Sequence, residues 1–61
     1  MEKLYSTSGA ARHAQCSEAT VRRAEAAGIV HAQRDSSGRR LLTQTEADKL
    51  REHMRRLRQG V

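Results

Sequence analysis

The side chains best equipped for chemistry in this chain are the arginines at 22, 23, 34, 39 and 40, and the chemistry is recognition of an anion. A guanidinium is a planar fork of donors that matches two phosphate oxygens, or the O6 and N7 of a guanine edge. Arg22 and Arg23 are neighbours, whereas Arg34 and the Arg39-Arg40 pair bracket Asp35-Ser36-Ser37-Gly38. Residues 22–40 carry a net of +3, with Glu25 and Asp35 as the only acids, and residues 41–61 add +2. Residues 1–21 balance to zero, so the formal charge is +5 and lies in the last two thirds of the chain. Such a surplus suits a nucleic acid or an anionic membrane surface, although in a small domain it also serves solubility. Arg51, Arg55, Arg56 and Arg58 fall on a helical stretch and are expected to form a solvated face, the alternative being contact with a neighbouring phosphate or an adjacent protomer.

The remaining reactive residues point to little. Cys16 is the single cysteine, which excludes an internal disulfide and fits a reducing, cytoplasmic setting. His13 and Cys16 are three apart and His31 is available, but no further soft ligand completes a metal set. Cys16 is therefore expected in the core. The cysteine has no positioned base, and no glycine-rich phosphate loop or carboxylate pair is present. No enzyme activity, cofactor or metal is expected.

The elements that position the arginines must be few. Sixty-one residues make one small domain, expected to span 1–61. Hydrophobic residues are 36% of the chain and Tyr5 is the only aromatic of the Phe, Trp and Tyr class, so the core must be thin. No apolar run approaches the roughly 18 residues of a membrane span, and no secretory leader is visible. Ser6, Ser17 and Thr43 each stand where an N-cap belongs. An apolar residue precedes each cap (Tyr5, Cys16, Leu42), with an apolar partner five positions on (Ala10, Val21, Ala47), the spacing of a hydrophobic staple. Thr43 and Glu46 add a capping box.

The first helix is predicted from about Thr7 to Ala14, with Ala10, Ala11 and Ala14 on one small-residue face. The second runs from about Glu18 to Ala27, with Val21 and Ala24 inward and Gly28 as a left-handed terminator. Only Gln15, Cys16 and Ser17 lie between them, a tight turn that suggests a helix-turn-helix. Ile29 and Val30 read as core. Residues 31–34 and 39–42 are predicted as the arms of a hairpin, with Gly38 supplying positive φ and Asp35 bonding the turn backbone. The third helix is predicted from about Gln44 to Leu57 or Arg58, with Ala47, Leu50, Met54 and Leu57 as its apolar stripe and Gly60 ending the pattern.

In this order, the residues resemble a known family. The run from Tyr5 to Val30 is similar to the opening of MerR-type winged helix-turn-helix domains, and so is the later run from Arg34 to Leu50. Tyr5, Ser6, Cys16, Ser17, Thr20-Val21-Arg22, Glu25, Gly28 and Ile29-Val30 fill the family's places without gaps. Asp35, Gly38, Arg39, Arg40 and Thr43 fill its wing pattern. The chain departs at Arg23 and Ala24, where the family usually has tyrosines, and at His31-Ala32, where proline is usual. It also departs at Arg39, where tyrosine is common. The family's long dimerising helix and effector domain have no counterpart here, so effector sensing is not carried over. The short form is also similar to phage excisionases and small developmental regulators.

The resemblance implies a mostly α winged helix-turn-helix, with about three helices and a two-stranded wing: recognition helix about 18–27, wing about 31–42, C-terminal helix about 44–58. It implies sequence-specific binding of double-stranded DNA by a MerR-like transcriptional regulator, or by the DNA-binding domain of one, in the cytoplasm and nucleoid-associated. Arg22 and Arg23 then face the major groove, and Thr20 and Ser17 lie at the helix start where backbone N–H groups favour phosphate. Arg40 is the expected phosphate clamp, and Arg34 and Arg39 reach the flanking backbone or groove edge. An alternative is an excisionase, or recombination directionality factor, that bends DNA by head-to-tail binding. A homodimer or a head-to-tail oligomer on DNA fits these readings. An alternative of another class is a protein-interaction module docking on an acidic partner. With Tyr5 as the lone stacking ring, single-stranded RNA is a poor fit.

Overall fold

The computed structural model describes residues 3–59. Along the chain run strand β1 (Leu4–Ser6), helices α1 (Thr7–Ala14) and α2 (Glu18–Ala26), strands β2 (Gln33–Arg34) and β3 (Arg40–Thr43), and helix α3 (Gln44–Gln59). The result is mostly α, with three helices and one three-stranded antiparallel sheet in the order β1-β3-β2.

Serines start the first two helices. Ser6 Oγ accepts from the Gly9 N–H at 3.0 Å and Ser17 Oγ from the Thr20 N–H at 3.1 Å, satisfying donors that a helix start leaves open. The turn between them is held at a cost. Gln15 adopts φ +57°, the one non-glycine residue at positive φ among the described residues, where a Cβ costs roughly 1–2 kcal/mol. Two closures compensate. The Gln15 and Cys16 N–H groups donate back to the Arg12 and Ala11 carbonyls at 3.2 and 2.9 Å. From α3, Arg58 donates through both Nη atoms to the Gln15 side-chain oxygen and carbonyl.

α2 stops at Ala26, one residue before the predicted end, and Ala27 is its C-cap. Gly28 takes φ +79°. The Gly28 and Ile29 N–H groups then donate to the Glu25 and Ala24 carbonyls at 3.0 and 2.9 Å, the paired closure of a Schellman motif. Ile29, expected in the core, is 37% exposed because it sits over the end of α2 as part of that closure. Val30, the next residue, turns fully inward.

The sheet differs from the expected two-stranded hairpin. Leu4, Tyr5 and Ser6 pair with Thr43, Leu42 and Leu41, making a third strand on the far side of β3. The hairpin arms are Gln33–Arg34 and Arg40–Thr43, against the predicted 31–34 and 39–42, with Arg34 opposite Arg40. A three-residue strand has no alternation to read, and tertiary contacts hold this one. The Tyr5 hydroxyl donates to Gln44 Oε1 at 2.9 Å. Gln44 Nε2 donates to Asp48 Oδ1 at 3.0 Å, which also accepts from His13 Nε2 at 2.8 Å. The Tyr5 and His13 rings lie 5.1 Å apart. The chain Tyr5–Gln44–Asp48–His13 thus ties β1, α3 and α1 together.

Leu42, Leu50, Val21 and Val30 are the largest fully buried side chains, each contributing about 1.5–3 kcal/mol of transfer free energy. Ala10, Ala11 and Ala14 let α1 approach its neighbours closely. The predicted stripe of α3 is buried at Ala47 and Leu50, but Met54 is only half-buried and Leu57 is 52% exposed. α2 stands off from this end of α3, leaving a recess of about 420 Å³ lined by Thr20, Arg23, Ala27, Ile29, Met54 and Leu57, among others. α3 extends to Gln59, and Gly60 lies outside the described residues. The capping box is half made. Thr43 Oγ1 accepts from the Glu46 N–H at 3.3 Å, while the Glu46 carboxylate takes the His31 N–H at 2.8 Å and Lys49 Nζ at 2.9 Å. Lys49 and then the His31 N–H hold the Glu46 carboxyl below its ordinary pKa. Glu46 therefore anchors the approach to the hairpin onto α3.

Candidate nucleic-acid interface

α2 buries Val21 and Ala24 and exposes Ala19, Arg22, Arg23 and Ala26. With alanines on either side, the two guanidiniums stand proud of a low ridge. Neither makes an ion pair or side-chain hydrogen bond among the described residues. The hydroxyls at the helix start are already engaged. Ser17 Oγ accepts from the Thr20 N–H, and Ser17 Oγ and Thr20 Oγ1 share a hydrogen bond at 2.9 Å. What these two residues offer a ligand is thus the capped helix start rather than two free hydroxyls.

The hairpin tip is organised around Asp35. Its Oδ1 accepts from the Ser37 N–H, the Ser37 hydroxyl and the Arg39 N–H, each at 2.9 Å. The Asp35 N–H donates to the Arg39 carbonyl and the Gly38 N–H to the Asp35 carbonyl, both at 3.0 Å, with Gly38 at φ +83°. Arg34 Nη1 donates across the turn to the Gly38 carbonyl at 3.2 Å. Arg39 is exposed and forms no ion pair among the described residues.

These bonds hold the Asp35 carboxyl below its ordinary pKa, the Arg39 N–H first and the Ser37 hydroxyl next. Because the folded value lies below the unfolded one, the tip's stabilisation is complete above about pH 4 and is lost as the pH falls through the folded value. In an acid titration followed by NMR, the Ser37 and Arg39 amide protons should therefore keep their bonded shifts to below about pH 4. Loss of those shifts at higher pH would show that Asp35 does not organise the tip.

Arg40, the expected phosphate clamp, already has an acidic neighbour. Its Nε lies 2.7 Å from Glu25 Oε1, with both side chains about one quarter exposed. The contact is an ion pair rather than an aligned hydrogen bond, since the buried Nε–H has no acceptor in line. It ties the hairpin to α2. Sequence reasoning gave Glu25 no such role, because residues 15 apart on different elements carry no local signal of pairing.

Arg34, Arg39 and Arg40 do converge. With Gly38, Glu18 and Ser6-Thr7-Ser8 they line an open cleft of about 310 Å³ between the hairpin and the starts of α1 and α2. Nothing in the sequence brings the start of α1 near the hairpin. Arg22 and Arg23 do not line this cleft. Arg23 and Thr20 line the recess on the α3 side instead. The structure thus brings Arg34, Arg39 and Arg40 together in one cleft and leaves Arg22, Arg23, Thr20 and Ser17 outside it on α2 and its start, with the Arg40–Glu25 pair joining the two elements.

Elsewhere, Arg55 and Arg56 approach Glu52 at 3.3 and 3.4 Å, exposed pairs of small energetic weight. Cys16 is half-buried against the core, and burial raises its thiol pKa, partly offset by Arg58. Among the described residues no three His, Cys, Asp or Glu side chains are grouped to hold a metal, and no helix is long and apolar enough to cross a membrane. Compared with family models, curated proteins and solved structures, the chain matches none.

Proposed function

We propose that this chain is a winged helix-turn-helix domain that binds double-stranded DNA sequence-specifically, with α2 in the major groove and the β2–β3 hairpin as the wing on the flanking backbone. The observation that carries the reading is the unpaired Arg22-Arg23 ridge on α2, flanked by a hairpin whose arginines ring one cleft. A helix fits the major groove, and two forks on its exposed side can reach guanine edges or phosphate. Arg39 and Arg34 supply backbone contacts that position without specifying. Arg40, bound to Glu25, holds the wing against α2. Transcriptional control is the role this activity serves.

Selection of bound duplexes from a random library at physiological salt tests the reading. An enriched motif is the expected result, and its layout separates inverted half-sites from direct repeats. DNA retained without enrichment would remove sequence specificity. No retention at all would remove DNA as the partner and turn the search to acidic proteins.

A further inference from the structure

α3 carries basic residues on a side that the proposed interface does not use. Arg51, Arg55 and Arg58 are four and three apart, one flank of the helix. They meet His13, Ala14 and Gln15 at the end of α1, and the six residues line a recess of about 140 Å³. Three of the six are guanidiniums and none is a carboxylate. This recess is more enclosed than the cleft beside the hairpin and shares no lining residue with it.

The neighbouring carboxylates already have partners, His13 and Arg55 of the recess among them. Asp48 accepts from His13 and Gln44, and Glu52 is shared between Arg55 and Arg56. The end of α1 is the negative pole of a helix and would oppose an anion. Arg58 cancels part of that opposition, because it already occupies the Gln15 carbonyl and side-chain oxygen. Arg51 makes no ion pair among the described residues, and Arg55 holds only an exposed contact with Glu52. Arg51, which feels the charge of Asp48, and Arg55, which would leave an exposed contact with Glu52, can thus turn toward one small oxyanion, while the third fixes the wall behind it.

We infer that this recess is a second phosphate-binding site, formed by Arg51 and Arg55 against a wall fixed by Arg58, and separate from the α2–hairpin interface. The phosphate comes from a DNA backbone or from a free phosphate-bearing molecule, since the chemistry of recognition is the same. A tetrahedral oxyanion suits paired planar forks.

The first experiment is titration of the whole chain with inorganic phosphate at constant ionic strength, followed on the arginine Nε–H and backbone amide resonances. Saturable shifts are expected at Arg51, Arg55 and the Gln15 amide, ahead of Arg22 and Arg39, and they should vanish in Arg51→Ala/Arg55→Ala. Chloride at matched ionic strength should not reproduce them. Non-saturating shifts, or shifts shared equally by all arginines, would overturn the site. The fold of the double variant is checked by its amide spectrum, and the wild-type titration decides the matter even if that variant unfolds.

The second experiment locates the source. If the phosphate belongs to DNA, the double variant should flatten the dependence of log K on log salt for a random duplex by about 0.9, the value for one lost phosphate contact. Any enriched motif should remain. An unchanged slope, with phosphate binding retained, assigns the site to a free phosphate. If the wild-type chain retains no DNA, the α2–hairpin reading fails while the phosphate titration still decides this one.

Discussion

Leu50→Ala should leave the domain largely unfolded near room temperature, or within a few degrees of its midpoint. Leu50 is fully buried at the meeting of α3 with α1 and the sheet. Truncating such a leucine costs about 2–5 kcal/mol, because the cavity closes only in part. A chain of 61 residues has a total stability of about 3–9 kcal/mol at the usual figure per residue. The loss is therefore comparable to the whole. Thermal unfolding followed by circular dichroism should show a midpoint at least about 10 °C lower. Leu57→Ala, seven residues along the same predicted stripe, should cost only about 1 kcal/mol because half of that side chain is in water. Equal losses at the two positions would mean that α3 packs along its full length.

The second large effect concerns recognition. Arg22→Ala/Arg23→Ala should weaken binding to a selected duplex by about 2–6 kcal/mol, roughly 30- to 20,000-fold, if each fork reads a base. Both side chains are exposed, so the variant should fold like the parent. Binding to a random duplex should fall much less, since only the phosphate contribution is lost there. Fluorescence anisotropy on both duplexes separates the cases. Equal losses on the two would reassign the arginines to the backbone, and no loss on either would take α2 out of the interface.

These contrasts also show how far the sequence reached. Helix starts were legible because capping is local. A serine at 6 or 17 needs only backbone donors up to three residues ahead, and the structure satisfies those within a single turn. The hairpin turn was legible for the same reason, as Asp35 and Gly38 act within five residues. Residues whose fate depends on remote elements were read less well. Leu57 follows the correct helical spacing, yet nothing near it in the chain says that α2 stands off. Ile29 has the character of a core residue, but its place after Gly28 gives it to the helix closure. The pairing of Arg40 with Glu25 is equally hidden, because its partner lies on another element. β1 owes its existence to a strand beginning 36 residues later.

The position of β1 also has a consequence for how the molecule is made. The ribosome delivers Leu4 first and its partner Thr43 much later. Leu42, Ala47 and Leu50, which close the core, arrive later than α1 and α2. The emerging N-terminal half can form transient helices, but short isolated helices are marginal in water. Its first strand has no edge to join, and its alanine face has only Val21 and Val30 to cover it until Leu42 and Leu50 arrive. Closing so distant a contact is also slow compared with forming a helical turn. Folding thus waits for residues 42–50 to leave the ribosome and then proceeds in one step. Until then, Leu4 and Tyr5 are available to chaperones, or to the edge strand of another unfinished copy.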